Sequence, residues 1–258
     1  MGKYFDDIHA GCESQFFNKP AGLEDSGEIA AAREAATDFD GYIALGDALC
    51  RQLRYREAIV EFTRAIDEKP DLMEGYRKRA PRYLNTLQVQ KAKADFLRCR
   101  ELGGTPEDVD YRIGLCDYML GDLESARTIM AETFPHCNDE MGIACIYWHS
   151  ICSLRLGEKP ELMEKWHEDM DVGHHTAYRL FARTLAGSVS LNETLDILDG
   201  EEDDMEYVTA LYGVCYLLKA DGRAGEFDEY IRKLLTRDGF WPCFAFLAAW
   251  IDKNGLNE

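Results

Sequence analysis

From Phe39 onward, apolar residues recur every three or four positions in short runs separated by regular breaks. Tyr42, Leu45, Gly46 and Leu49 mark one face of a first helix. Leu53 to Tyr55 interrupts it, and Ala58, Ile59, Phe62, Ala65 and Ile66 mark a second helix that Pro70 stops. Asp71 with Glu74 predicts a capping box opening the next helix. The pattern then returns, with Tyr76, Ala80 and Tyr83 before a turn at Leu87, and Ala92, Phe96 and Cys99 after it. Gly103-Gly104 ends that stretch, and Thr105-Pro-Glu-Asp restarts the chain with an N-cap, a first-turn proline and early acids. Ile113, Gly114, Tyr118 and Gly121 lead to Ala126 and Met130. Ala58, Ala92 and Ala126 thus stand at equal intervals, and a fixed period of this length marks helix pairs stacked on one another. Small residues at Gly46, Ala80 and Gly114, and the three alanines, are placed where adjacent helices come close.

Downstream the period is worn. Gly157-Glu-Lys-Pro-Glu predicts the inner turn of a fourth pair, between a helix over Ile143–Leu156 and one over Pro160–Asp169. A fifth turn is expected around Gly187, and a sixth around Gly222 joining helices over Tyr207–Ala220 and Glu226–Leu235. At the start, residues 4–17 suit a short helix and Glu28 to Thr37 a second. The apolar run from Phe240 to Ile251 is too short to cross a bilayer and too apolar for an ordinary polar cap.

These residues resemble the tetratricopeptide repeat family. Tyr42, Leu45, Gly46, Ala58, Phe62, Ala65 and Pro70 stand in register with that family's signature, and the strict resemblance runs from Phe39 to about Asn138. It implies an all-α fold, a right-handed solenoid of stacked antiparallel helix pairs. The expected organisation is one continuous array: an N-terminal helical extension over 1–38, three repeats over 39–138, degenerate pairs over 139–236 and a capping helix over 237–258. It further implies a non-enzymatic role, in which the first helices line a concave groove that binds protein or peptide. Groove residues carried over include Arg77, Pro81 and Leu84 with Lys78 nearby, then Tyr111, Leu115, Tyr118 and Tyr147, and the charge pattern adds Arg82 to the binding residues. The chaperone-tail clamp of one branch of the family is absent, because Ile43 and Asp47 occupy its lysine and asparagine places.

Net charge narrows the partner. At −19 the chain repels phosphate backbones and anionic lipid, so nucleic acid and membrane surfaces are excluded as expected partners. No run of 18 apolar residues occurs, and the start has no signal-peptide character; a cytoplasmic protein is expected. Nine scattered cysteines without a Cys-x-x-Cys fit reduced thiols acting as small hydrophobes. Against this acidic background, residues 76–100 carry Arg77, Lys78, Arg79, Arg82, Lys91, Lys93, Arg98 and Arg100 with Asp95 alone, a local charge of +7. One reading makes this an anchor for a partner's acidic groups. The other has it neutralised by Glu74, Asp108 and Asp110, with Lys91 to Arg100 on solvated outer faces.

Other chemistry is thin. No phosphate loop, nucleophile elbow or Ser-His-Asp set occurs, so no catalytic residue and no cofactor is assigned. Cys145, His149 and Cys152 share one helical face and could hold a metal with His136, Cys137 or His167, but paired ligands with loops between are lacking and no metal site is assigned. His174-His175 reads as the start of a helix, and Asp199 to Asp204 as an exposed loop. Rival readings are self-association into a homodimer through Phe240, Trp241, Phe244, Leu247 and Trp250, against their burial on the sixth pair, and occupation of the groove by residues 4–17.

Overall fold

The computed structural model describes residues 24–256, so the helix expected over residues 4–17, and its suggested place in the groove, lie outside the described part. The chain divides into two compact units, one ending at Thr105 and the other spanning Pro106–Leu256. Both are all-α among the described residues, with helices packed in consecutive pairs.

The first unit holds α1 (Gly27–Ala35), α2 (Phe39–Arg51), α3 (Tyr55–Glu68), α4 (Met73–Asn85) and α5 (Val89–Glu101). Each helix packs on the next in sequence. Ser26 caps α1 by accepting from the Ile29 amide, and Asp38 caps α2 by accepting from Gly41. The expected capping box at Asp71 and Glu74 does not form; Leu72 precedes α4 with extended backbone and no side-chain cap. Pro81 sits inside α4, which continues to Asn85. The helix pairs turn at Leu53 and Leu87, both left-handed at φ 60° and 55°.

Ala58 and Ala92 are fully buried, as the period requires. A Cβ on Gly46 would lie 2.3 Å from the Phe62 ring, so the first pair closes only because that position carries no side chain. Between pairs, the Arg79 guanidinium binds both carboxylate oxygens of Asp95 at 2.7 and 2.8 Å and Thr63 Oγ1 at 2.9 Å. That fork ties α4 to α5 and back to α3. Burial pushes the Asp95 carboxyl up while Arg79 pulls it down. At the N-terminal edge Arg54 holds Asp25 and Glu57, fixing the segment that leads into α1.

The second unit opens with a wide π-helical turn, Pro106–Asp110. It continues with α6 (Tyr111–Leu120), α7 (Leu123–Thr133), α8 (Asp139–Leu156), α9 (Thr176–Leu185), α10 (Leu191–Asp199), α11 (Asp204–Ala220), α12 (Ala224–Leu234) and α13 (Phe244–Asn254). Gly121, one period beyond Leu87, takes the same left-handed turn at φ 84°. Two helices form the centre. α8 is buried at every position from Gly142 to Ser153, and α11 at every position from Tyr207 to Leu218. Helices apolar on all faces must be surrounded, and α11 has α8, α9, α10, α12 and α13 packed against it.

One expectation changes here. Where a helix over Pro160–Asp169 is expected, the chain makes one 3₁₀ turn, Glu161–Lys165, and runs irregularly to His175. Only Leu162, Met170 and Val172 are buried in this stretch, and their spacing builds no helical face. Of the two readings of the C-terminal aromatics, burial on the sixth pair is the one the structure follows. Trp241, Leu247 and Trp250 are buried, Phe244 is half-buried, and Phe240 alone of the five is exposed, at 50 %. Asp199 to Asp204 is less loose than an acidic loop suggests: Arg237 ion-pairs with Asp204 and donates to the carbonyls of Glu201 and Glu202. No described helix is long and apolar enough to cross a membrane.

Gly46→Ala should lower the unfolding free energy by about 1–3 kcal/mol through overpacking against Phe62. Gly27→Ala, whose new methyl meets nothing within 4 Å, should leave stability unchanged or raise it. Urea midpoints of the two variants, measured side by side, test the helix contact.

Candidate binding surfaces

The basic stretch of α4 is built by helical spacing against the acids of α2. Lys78 and Arg82 are one turn apart, and both reach toward α2. Lys78 Nζ donates to Asp47 Oδ2 at 2.7 Å, with the two side chains 38 % and 32 % exposed. Arg82 lies 4.7 Å over the Tyr55 ring and near Cys50, whose thiol burial pushes up to about 11. Arg77 is exposed. Arg79 is consumed by Asp95, Arg98 pairs with Glu101 and Asp71, and Lys91 lies over Tyr83. Much of the local positive charge is therefore met inside this unit, by Asp47, Asp95, Asp71 and Glu101.

The tyrosine stretch lies elsewhere than expected. Tyr111, Leu115, Tyr118 and Tyr147 are all at most 5 % exposed, within the core of the second unit. Tyr111 Oη accepts from Trp148 Nε1 at 3.1 Å, and Tyr147 donates to the Thr209 carbonyl at 2.6 Å. Tyr212 spends its single proton on Asp252 Oδ2 at 2.7 Å, so at the 2.6 Å contact between the two hydroxyls Tyr118 donates. Tyr216 also donates to Asp252, and Arg155 stacks between the Tyr118 and Tyr216 rings at 4.8 and 5.4 Å. Burial drives the Tyr118 and Tyr212 hydroxyls well above their usual range, which keeps them as neutral donors. The reason is local to this unit: α8 and α13 pack against α6, covering the face that a simple repeat stack would leave open.

Openings among the described residues of the second unit include two of note. A half-enclosed cleft of about 320 Å³ is lined by Tyr111, Arg112, His174, His175, Tyr178 and Glu206, with Phe240 among the residues around it. A more polar one of about 390 Å³ presents Arg155, Lys219, Tyr216, Phe227 and Asp252.

Metal-type donors do converge, but at a different place from the helical face of Cys145, His149 and Cys152. All three of those are buried. Burial holds the Cys152 thiol up at about 12, and Cys145 is raised further beside Cys137, 3.9 Å away. Among the described residues the converging set is Glu140, His174 and His175. As the reading of a helix start requires, His175 takes the N-cap place of α9, and its imidazole lies with ring centre 4.3 Å from that of His174.

The chain matches no family model and no curated protein. Among solved structures it is similar to the crystal structure of YrrB, described as a TPR protein with an unusual peptide-binding site. That similarity covers 89 % of this chain and 100 % of the other, at 13 % identity and a TM-score of 0.47. The α2–α3, α4–α5 and α6–α7 pairs are tetratricopeptide-like in their own right, with alanines and left-handed turns each recurring once per period.

His149 supplies a pH test. Burial, and secondarily Arg127, lowers its pKa from 6.5 to about 4, and its Nδ1 has no hydrogen-bond partner. The unfolded chain therefore binds a proton that the folded chain refuses between these values. Its contribution is full above pH 6.5 and is lost as pH falls toward 4, at no more than about 1.4 kcal/mol per pH unit. His149→Gln should flatten the decline in urea stability between pH 6.5 and 5 relative to the unaltered protein.

Proposed function

We propose that the protein is a non-enzymatic scaffold that captures a partner protein or peptide bearing acidic groups, using the α2–α4 face of the first unit. Arg77, Lys78 and Arg82 are the anchors. The supporting observation is the arrangement of Lys78 and Arg82, the first engaged across to α2 by Asp47 and the second resting over the Tyr55 ring. Such side chains have already lost much of their rotamer freedom, which reduces the ordering cost of binding. Their present partner is easily exchanged, because a pair this exposed contributes only about 0–1 kcal/mol. Arginine adds planar, two-point recognition of carboxylates. The resemblance of the helix pairs to tetratricopeptide repeats supplies the role of the first-helix face. Tyr111, Leu115, Tyr118 and Tyr147 take no part in this contact, since they belong to the core.

Charge reversal at Arg77→Glu and Arg82→Glu together should abolish partner capture, read by affinity purification with mass spectrometry, while the helical circular dichroism stays unchanged. Partners retained at unaltered yield would refute the anchor. Asp47→Asn removes the acid that competes for Lys78 and should tighten binding of the captured partner by roughly 1.5- to 5-fold, the worth of an exposed ion pair.

A further inference from the structure

The loop entering α9 gathers three donors that the α2–α4 face does not use. Glu140 stands in the first turn of α8, and His174 and His175 immediately precede α9. One ligand atom from each lies within 4.8 Å of the other two. His174 Nδ1 is 2.8 Å from Glu140 Oε1. His175 Nδ1 is 2.8 Å from the Glu140 carbonyl oxygen, which can only accept. The ring proton is thereby assigned to Nδ1 and the lone pair to Nε2. A hydrogen bond of this type from the non-ligating nitrogen is the usual device that orients a metal-bound imidazole.

The backbone is shaped for the same convergence. Asp139 Oδ2 accepts from the Asp171 amide at 3.0 Å, pinning the loop to the start of α8. Gly173 follows at φ +54°, and a Cβ there would come within 2.8 Å of Glu140 Oε1. Glycine is what lets the carboxylate approach the loop. An ordinary surface ion pair accounts for little of this, since the His174 side chain is 71 % exposed and such pairs are nearly neutral in free energy.

We propose that Glu140, His174 and His175 bind a divalent transition-metal ion of the zinc class. Two imidazoles and one carboxylate are the donor set such ions take, whereas magnesium and calcium select oxygen ligands. Metal–ligand bonds of about 2.0–2.2 Å place tetrahedral donors roughly 3.3–3.6 Å apart. The His174–Glu140 pair opens slightly to admit the ion, and the exposed His174 ring has room to move. Both histidines border the 320 Å³ cleft, so the fourth position is open to water there. The bound ion clamps the irregular segment before α9 onto α8.

The test uses the full chain, stripped with chelator and titrated calorimetrically with zinc chloride, then with cobalt chloride under visible absorbance. The expected result is one ion per chain, with cobalt bands that lack sulfur-to-metal charge transfer. His174→Ala and Glu140→Gln, at exposed and half-buried positions, should each weaken binding at least ~10-fold with the helical spectrum unchanged. Absence of one-to-one uptake overturns the proposal. So does a thiolate charge-transfer band, which would place the ion on cysteine, or a His174→Ala protein that binds zinc as tightly as the unaltered chain.

Discussion

Close approach of paired helices is the constraint on which the rest of the molecule depends. At Gly46 there is no space for even a methyl group against Phe62, and at Gly114 a Cβ would meet Ile129 and Met130 at 2.6 and 2.7 Å. Ala80 holds the corresponding place in the middle pair and is fully buried. Small residues on the first helix let a large apolar residue of the second lie flat across it, shortening the distance between axes. Once that distance is set, the turn between the helices is set with it. Leu53, Leu87 and Gly121 all adopt the left-handed backbone at the same step of the period, although leucine accepts it less readily than glycine.

Polar groups then give the packed pairs their register. In the first unit the Arg79 fork to Asp95 and Thr63 spans three helices, and Lys78 spans the two first helices through Asp47. In the second unit the same task falls to hydroxyls: Tyr118, Tyr212 and Tyr216 lead to the Asp252 carboxylate beside Arg155. Both networks are satisfied where they are buried, which low dielectric makes necessary. The local excess of positive charge in residues 76–100 is therefore partly structural.

Reading the sequence recovers what short-range geometry decides. Helices α2 to α7, their turns and the buried alanines follow from spacing within a single repeat period, and α9 to α12 follow from glycines and apolar faces. Failure begins where distance in sequence takes over. Tyr111, Leu115, Tyr118 and Tyr147 carry the spacing of groove residues, yet α8, α11 and α13 cover or contact them from far along the chain. A signal was present: Ile143 to Cys152 and Tyr207 to Leu218 are apolar on every face, and such helices need neighbours all round. The Glu140 and His174-His175 convergence joins two distant points of the chain across a loop without repeat character, where periodicity says nothing.

The tyrosine–aspartate chain has a consequence for how the protein is made. Tyr118 meets Tyr212 across 94 residues of sequence, and Tyr212 meets Asp252 across another 40. During synthesis the first unit, whose helices each pack on the next, can fold as soon as it leaves the ribosome. The second unit cannot. Its innermost hydroxyls stay unmatched until α13 delivers Asp252. Arrival of α13 is thus the step that licenses the second unit's core, and a chain cut before Asp252 leaves that core unfinished.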